Sequence, residues 1–188
     1  MTRKATYDLV LEAIGAALIV AGAFISITVT AVPFTLQTMA LMAVLMTCGG
    51  RRGTISTVCY LLMGVVGLPV FAGFQGGVSV ILGPTGGFLV GFIPVGLIYW
   101  GLADKMLHVK EAARPRRIAI KIISAIICEV ALYAVGVAWF MTVYARQTGP
   151  IGLTAAISMC VVPFILPDIA KTIAAIIISE ACHKIVKD

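Results

Sequence analysis

Long apolar runs separated by short charged or Gly/Pro-rich breaks constrain this chain more than any other feature. They lie at roughly 9–29, 34–47, 54–71, 86–102, 118–144 and 153–182. In hydrocarbon no water is present to satisfy backbone N–H and C=O groups, so an open spanning segment must be a helix. The runs therefore predict an all-α integral membrane protein with six transmembrane helices. Composition agrees: 61% of the 188 residues are hydrophobic and only 12% charged, where a soluble domain carries about a quarter. At about 20 residues per span, the length leaves no room for a separate soluble domain, and residues 1–188 are expected to form one unit. The first run is too long for a signal peptide and shows no small-residue cleavage site.

The net charge of +6 sits between the apolar runs, where orientation signals belong, so a membrane surface and not nucleic acid is the expected anionic partner. If the N-terminus is cytoplasmic, one side collects Arg3, Lys4, Arg51, Arg52, Lys105, Lys110, Arg114, Arg116, Arg117, Lys121, Lys184 and Lys187, which is 12 of the 14 basic residues. The opposite loops hold only Arg146, and Lys171 lies inside the last run. This positive-inside asymmetry predicts both termini in the cytoplasm, with 73–87 and 146–152 outside.

The five cysteines, Cys48, Cys59, Cys128, Cys160 and Cys182, are scattered and form no CxxC. They are expected to be small buried hydrophobes, with no disulfide and no metal. His108 and His183 lack ligand-spaced partners and read as solvated, as do Glu12 and Glu180 near span ends. The sequence Gly83-Pro84-Thr85-Gly86-Gly87 lacks the GK[ST] ending of a phosphate loop. No Walker A sequence occurs, so any ATP-driven transport must draw on another subunit.

Asp168 and Lys171 are the most conspicuous intramembrane charges. Three residues apart, they share a helix face, and charges in a span face the protein interior or a water-filled cavity. They form either a polar clamp on a small ligand or an ion pair that fixes helix packing. Pro167 suits a first helical turn, so the last helix is expected to begin there, with its N-terminal dipole favouring an anion near Lys171. Glu129 either pairs with Lys171 or sits protonated as a structural residue. Irregular backbone at membrane depth is tolerated only where it lines a cavity or is buried in protein. A site is therefore expected near 33–37, 73–87 and 163–171. Ala13, Ala17 and Ala21 form a small-residue stripe, for packing within the bundle or for docking a partner membrane protein. An intramembrane enzyme using Asp168 or Glu129 as acid or base would need a second catalytic group, and none is visible.

Three segments carry a family resemblance. Val32-Pro33-Phe34-Thr35-Leu36-Gln37-Thr38 resembles the VP-x-T-LQT signature of the BioY family. Gly67-Leu68-Pro69-Val70-Phe71-Ala72-Gly73, followed by Gly83-Pro84-Thr85-Gly86-Gly87-Phe88, resembles its GLPVFAG…GPTGGY segment. Pro167-Asp168-Ile169-Ala170-Lys171 resembles its D-x-x-K on the final helix. The resemblance implies the biotin-binding S component of a prokaryotic energy-coupling-factor (ECF) transporter. It implies a multi-pass plasma-membrane protein with an S-component-like bundle and irregular extracellular loops. It implies capture of biotin outside and delivery inside with a transmembrane T component and two ATP-binding subunits, no enzymatic activity and no cofactor. By motif, Asp168 and Lys171 are the polar contacts, with Lys171 toward the valerate carboxylate and Asp168 toward ureido N–H groups, or with the two orienting each other. Phe88 stands where the family has Tyr, and Gln75 falls where a further polar contact is placed. Ala13, Ala17 and Ala21 match the family's docking face for the T component. Glu129 departs from the neutral residue the pattern implies.

Overall fold

The computed structural model describes residues 3–27, 32–109, 112–147 and 149–187, with the side chains of 147 and 183–187 left aside. Val29, Lys110 and the side chains of His183, Lys184 and Lys187 lie outside the described residues. Eight α-helices are present among the described residues, and they do not by themselves confirm the six transmembrane helices expected. They are α1 (Arg3–Phe24), α2 (Gln37–Cys48), α3 (Gly50–Val65), α4 (Val78–Ile81), α5 (Gly86–Tyr99), α6 (Arg114–Gln147), α7 (Leu153–Cys160) and α8 (Val162–Lys187). α5 continues as a π-helical turn through Trp100–Met106. The chain is also not purely helical: β1 (Ser26–Ile27) pairs antiparallel with β2 (Phe34–Thr35).

Among the described residues, four segments are long and apolar enough to cross a bilayer: α1, α5 with its π-helical extension, α6 and α8. At 1.5 Å per residue, α6, with 34 residues, is about 50 Å long and exceeds the roughly 30 Å hydrocarbon core. α2 has only 12 residues and spans about 18 Å. It is held by packing: Leu41, Met42, Val44, Leu45 and Met46 are buried, and α2 lies along α1, α3 and α8. α1 approaches its neighbours through Gly15 and Gly22, where an added Cβ would crowd Val44 and Ala40 (2.9 Å each). Such close approach is what holds helices together where lipid removes the hydrophobic drive. Ala13, Ala17 and Ala21 are exposed on the other side of α1, so they are not its internal seam.

Several boundaries differ from those the apolar pattern suggested, each for a local reason. The stretch Gly50-Arg51-Arg52-Gly53 belongs to α3, and only Gly49, at φ 92°, separates it from α2. The Asp104 carboxylate accepts the Gly50 N–H at 2.6 Å, so an acidic side chain from a distant segment satisfies an orphan donor at a helix start. α8 begins at Val162, not Pro167. Pro163 occupies its first turn, where a missing N–H is harmless. Asp168 is thus in the second turn, beyond the reach of the helix-end dipole. Glu180 is not solvated: its side chain is 11% exposed, held by Arg117 at 2.6 Å and Lys121 at 2.7 Å. Cys59 is exposed while Cys128 and Cys160 are buried, and all five thiols are free. His108 is exposed.

The turn after α3 is built on ring packing. Phe71 is 1% exposed and fills the space over Gly64, where a Cβ would overlap its ring. Its ring meets that of Tyr60 edge-on, centroids 5.5 Å apart, and the Tyr60 hydroxyl accepts from Gln37 Nε2 at 2.6 Å. Gly64→Ala forces Phe71 out of this stack. The expected cost is about 1–3 kcal/mol of overpacking, read as a lowered melting temperature of the detergent-solubilised protein.

Candidate ligand-binding site

Where the helices give way to irregular backbone at one end of the bundle, they enclose a cavity of about 110 Å³. A single water needs only about 10–15 Å³. Most of its walls come from breaks in the apolar pattern. β2 and the start of α2 bring Thr35, Gln37 and Thr38, and the turn after α3 brings Phe71, Ala72 and Gln75. That turn closes on itself as the Phe71 N–H donates to the Gln75 carbonyl at 2.9 Å. The start of α5 contributes Thr85 and Phe88, α6 contributes Leu132 and Tyr133, and α8 contributes Phe164, Asp168 and Lys171. A larger groove of about 530 Å³ runs between α6 and α8. Of its isoleucines, Ile126, Ile169, Ile173 and Ile177 are more than half exposed, as suits a lipid-facing flank. The smaller cavity is apolar with a few converging polar groups, the usual make-up of a small-molecule site.

Its polar centre is the Asp168–Lys171 pair. Lys171 Nζ donates to Asp168 Oδ1 at 2.8 Å, and each side chain is 8% exposed. The Tyr133 hydroxyl donates to Asp168 Oδ2 at 2.5 Å. The Lys171 ammonium also lies 4.1 Å from the centroid of the Phe34 ring, a cation–π contact that strengthens as water is removed. The Asp168 carboxylate is therefore engaged at both oxygens, while Lys171 spends one of three N–H donors on it. Glu129 lies beside the Asp168 carboxyl group and near Lys171. Its Oε1 is buried without a hydrogen-bond partner among the described residues. Glu129 lines the groove between α6 and α8, not the cavity.

Four residues singled out from the sequence converge on this one cavity: Gln75, Phe88, Asp168 and Lys171. Gln75 is exposed at its mouth and Phe88 half-buried in its wall. Gly136 leaves the room that the Phe88 ring occupies, since a Cβ there would overlap it. Ala13, Ala17 and Ala21 are not part of it. Three contributors escaped the residue-by-residue reading. Gln37 is 4% exposed and orients through Tyr60. Thr38 has a buried Oγ1 with no protein partner among the described residues, although it lines the cavity. Gln37 and Thr38 both lie inside the quoted 32–38 motif and could have been found there. Tyr133 had no signal, because its role depends on how α6 faces α8. Among the described residues, no group of three or more His, Cys, Asp or Glu is placed to hold a metal.

Comparison with known proteins adds independent findings. The family model described as "BioY family" matches residues 1–188. The chain is 37% identical over 178 residues to "Biotin transporter BioY" of Thermotoga maritima, covering 95% of this chain and 96% of that one. It is 34% identical over 170 residues to "Probable biotin transporter BioY" of Pyrococcus horikoshii, covering 90% and 92%. Its fold is similar to the crystal structure of the S-component for biotin from an ECF-type ABC transporter. The TM-score there is 0.82 at 26% identity, over 100% of this chain and 95% of the other.

The buried pair yields a stability prediction. Lys171→Met strands Asp168 in a low-dielectric site and is expected to cost about 3–5 kcal/mol. Adding Asp168→Asn removes the stranded charge and is expected to recover most of that loss. Denaturation in mixed micelles of both single variants and the double variant measures the coupling.

Proposed function

We propose, because the chain belongs to the BioY family, that it is the membrane-embedded biotin-binding subunit of an ECF-type vitamin uptake transporter. It is a transport protein and not an enzyme. The observation that carries the reading is one cavity in which apolar walls surround a buried Asp168–Lys171 pair. Biotin has matching parts: a flat apolar bicycle, a ureido group and an acidic tail.

In this reading Lys171 turns its remaining N–H donors to the valerate carboxylate, and the ring of Phe34 supports the ammonium from below. Each Asp168 oxygen keeps a second lone pair, so it accepts a ureido N–H without releasing Lys171 or Tyr133. Phe88 packs on the bicycle. Relative to a Tyr at this place it keeps the ring and lacks the hydroxyl. Gln75 at the mouth and the unpaired Thr38 hydroxyl supply further hydrogen bonds.

The protein works as a single domain over residues 1–188. Six segments lie at membrane depth: α1, α2, α3, α5 with its π-helical extension, α6, and α7–α8 as one interrupted unit. α2 and α3 are too short to span alone and are supported by their neighbours. Basic residues at the ends of α1, α3, α6 and α8 support a reading with both termini in the cytoplasm of a prokaryotic cell, in which the cavity opens outside. Delivery inward requires a T component and two ATP-binding subunits, since the chain has no nucleotide-binding motif of its own. The exposed Ala13, Ala17 and Ala21 form the face of α1 on which the T component docks.

Two measurements test this. Purified protein titrated with biotin should give saturable binding with a rise in melting temperature. Truncating one partner of a desolvated charge contact costs about 2–5 kcal/mol, so Lys171→Ala should weaken biotin at least about 30-fold. Binding by Lys171→Ala at wild-type affinity would show that the clamp is wrongly assigned. Separately, Ala17→Trp should leave biotin binding intact while abolishing co-purification with a T component.

A further inference from the structure

A second cavity, of about 310 Å³, lies at the opposite end of the bundle. It is framed by the start of α1, the junction of α2 and α3, the start of α6 and the late turns of α8. Among its described lining residues are three cations, Arg52, Arg117 and Lys121, and no carboxylate. Lys121 is 2% exposed. Its Nζ donates to Ser179 Oγ at 2.6 Å and to Glu180 Oε1 at 2.7 Å, which leaves a third N–H donor. Ser179 Oγ in turn donates to the Met46 carbonyl at 3.0 Å, tying α8 to α2. Two acidic groups stand behind these cations, Asp8 on Arg52 and Glu180 on Arg117, Lys121 and, at 3.9 Å, Arg114. Among the described residues, four cations thus share two carboxylates, and positive charge borders the cavity.

We infer that this cavity is a binding site for the phosphate of an anionic phospholipid in the leaflet at that end of the bundle. Basic pockets between transmembrane helices at headgroup level recognise such groups. Phosphate chemistry fits three converging cationic side chains, and an apolar track specifies a lipid source over free phosphate. Tyr7 and Leu11 line the cavity. Ile14 and Leu18 follow them at helical spacing along α1, and Tyr7, Ile14 and Leu18 are 50–55% exposed. An acyl chain leaving the cavity would lie on this stripe, with Tyr7, 5.7 Å from the Arg52 guanidinium, at the interface where aromatic rings settle. The site is independent of the biotin assignment. On the orientation proposed above, that leaflet is the cytoplasmic one.

The test uses the full chain in a neutral detergent, with native mass spectrometry and thermal shift against dioleoylphosphatidylglycerol, dioleoylphosphatidylcholine and inorganic phosphate. The glycerol lipid should bind one-to-one and at least about fivefold tighter than the choline lipid, with inorganic phosphate giving the smaller thermal shift. Arg52→Gln removes one cation, and Leu11→Trp fills the apolar wall while sparing every ion pair. Each should weaken the glycerol lipid at least about fivefold and leave biotin affinity, read at the other end, unchanged as a check on folding. The inference is overturned if the two lipids bind alike or if Leu11→Trp binds the glycerol lipid as wild type does. A shift by inorganic phosphate equal to that of the lipid overturns the lipid assignment.

Discussion

Every backbone N–H and C=O at membrane depth must find a partner within the protein, and the arrangement of this chain follows from that constraint. Long apolar stretches resolve into α1, α5, α6 and α8 because a helix satisfies itself. The places where helices fail are closed by specific contacts. β1 pairs with β2, Phe71 bonds across to Gln75, and Asp104 caps α3. The first two of these closures form the walls of the ligand cavity. At the ligand cavity, irregular backbone and polar side chains thus occur together, shielded from lipid by the surrounding protein.

The apolar pattern made the membrane class and the long helices legible, and the breaks at 33–37, 73–87 and 163–171 pointed to the cavity. Asp168 and Lys171 were legible because charges in an apolar run stand out. What stayed hidden depends on contacts between distant segments. Gly50–Gly53 reads as a loop until Asp104 is seen to cap it. Glu180 reads as solvated until α6 brings Arg117 and Lys121 against it. Tyr133 is an unremarkable aromatic until α6 turns it toward α8. The start of α8 at Val162 was masked by two prolines, either of which fits a first turn, and the backbone uses the earlier one.

The two ends of the bundle handle charge differently. At the cavity end, one ammonium is held between a carboxylate, a tyrosine hydroxyl at that carboxylate and an aromatic face, in near-complete burial. At the other end, several cations share fewer carboxylates and face an opening. The first arrangement suits recognition of one small molecule with a single acidic tail. The second suits a headgroup. Between them, α2 packs along α8 and couples the Gln37–Tyr60–Phe71 wall to the helix that carries Asp168 and Lys171.

The central claim is that Lys171 reads the acidic tail of biotin. Calorimetric titration of wild type and Lys171→Ala with biotin and with biotin methyl ester tests it most directly, because ligand and protein are each altered at the proposed contact. The account predicts that the ester binds wild type at least about 30-fold more weakly than biotin. It also predicts that the ester binds the two proteins with equal affinity, since the shared contact is already lost. An ester that binds wild type as tightly as biotin, or that is weakened further by Lys171→Ala, would contradict it.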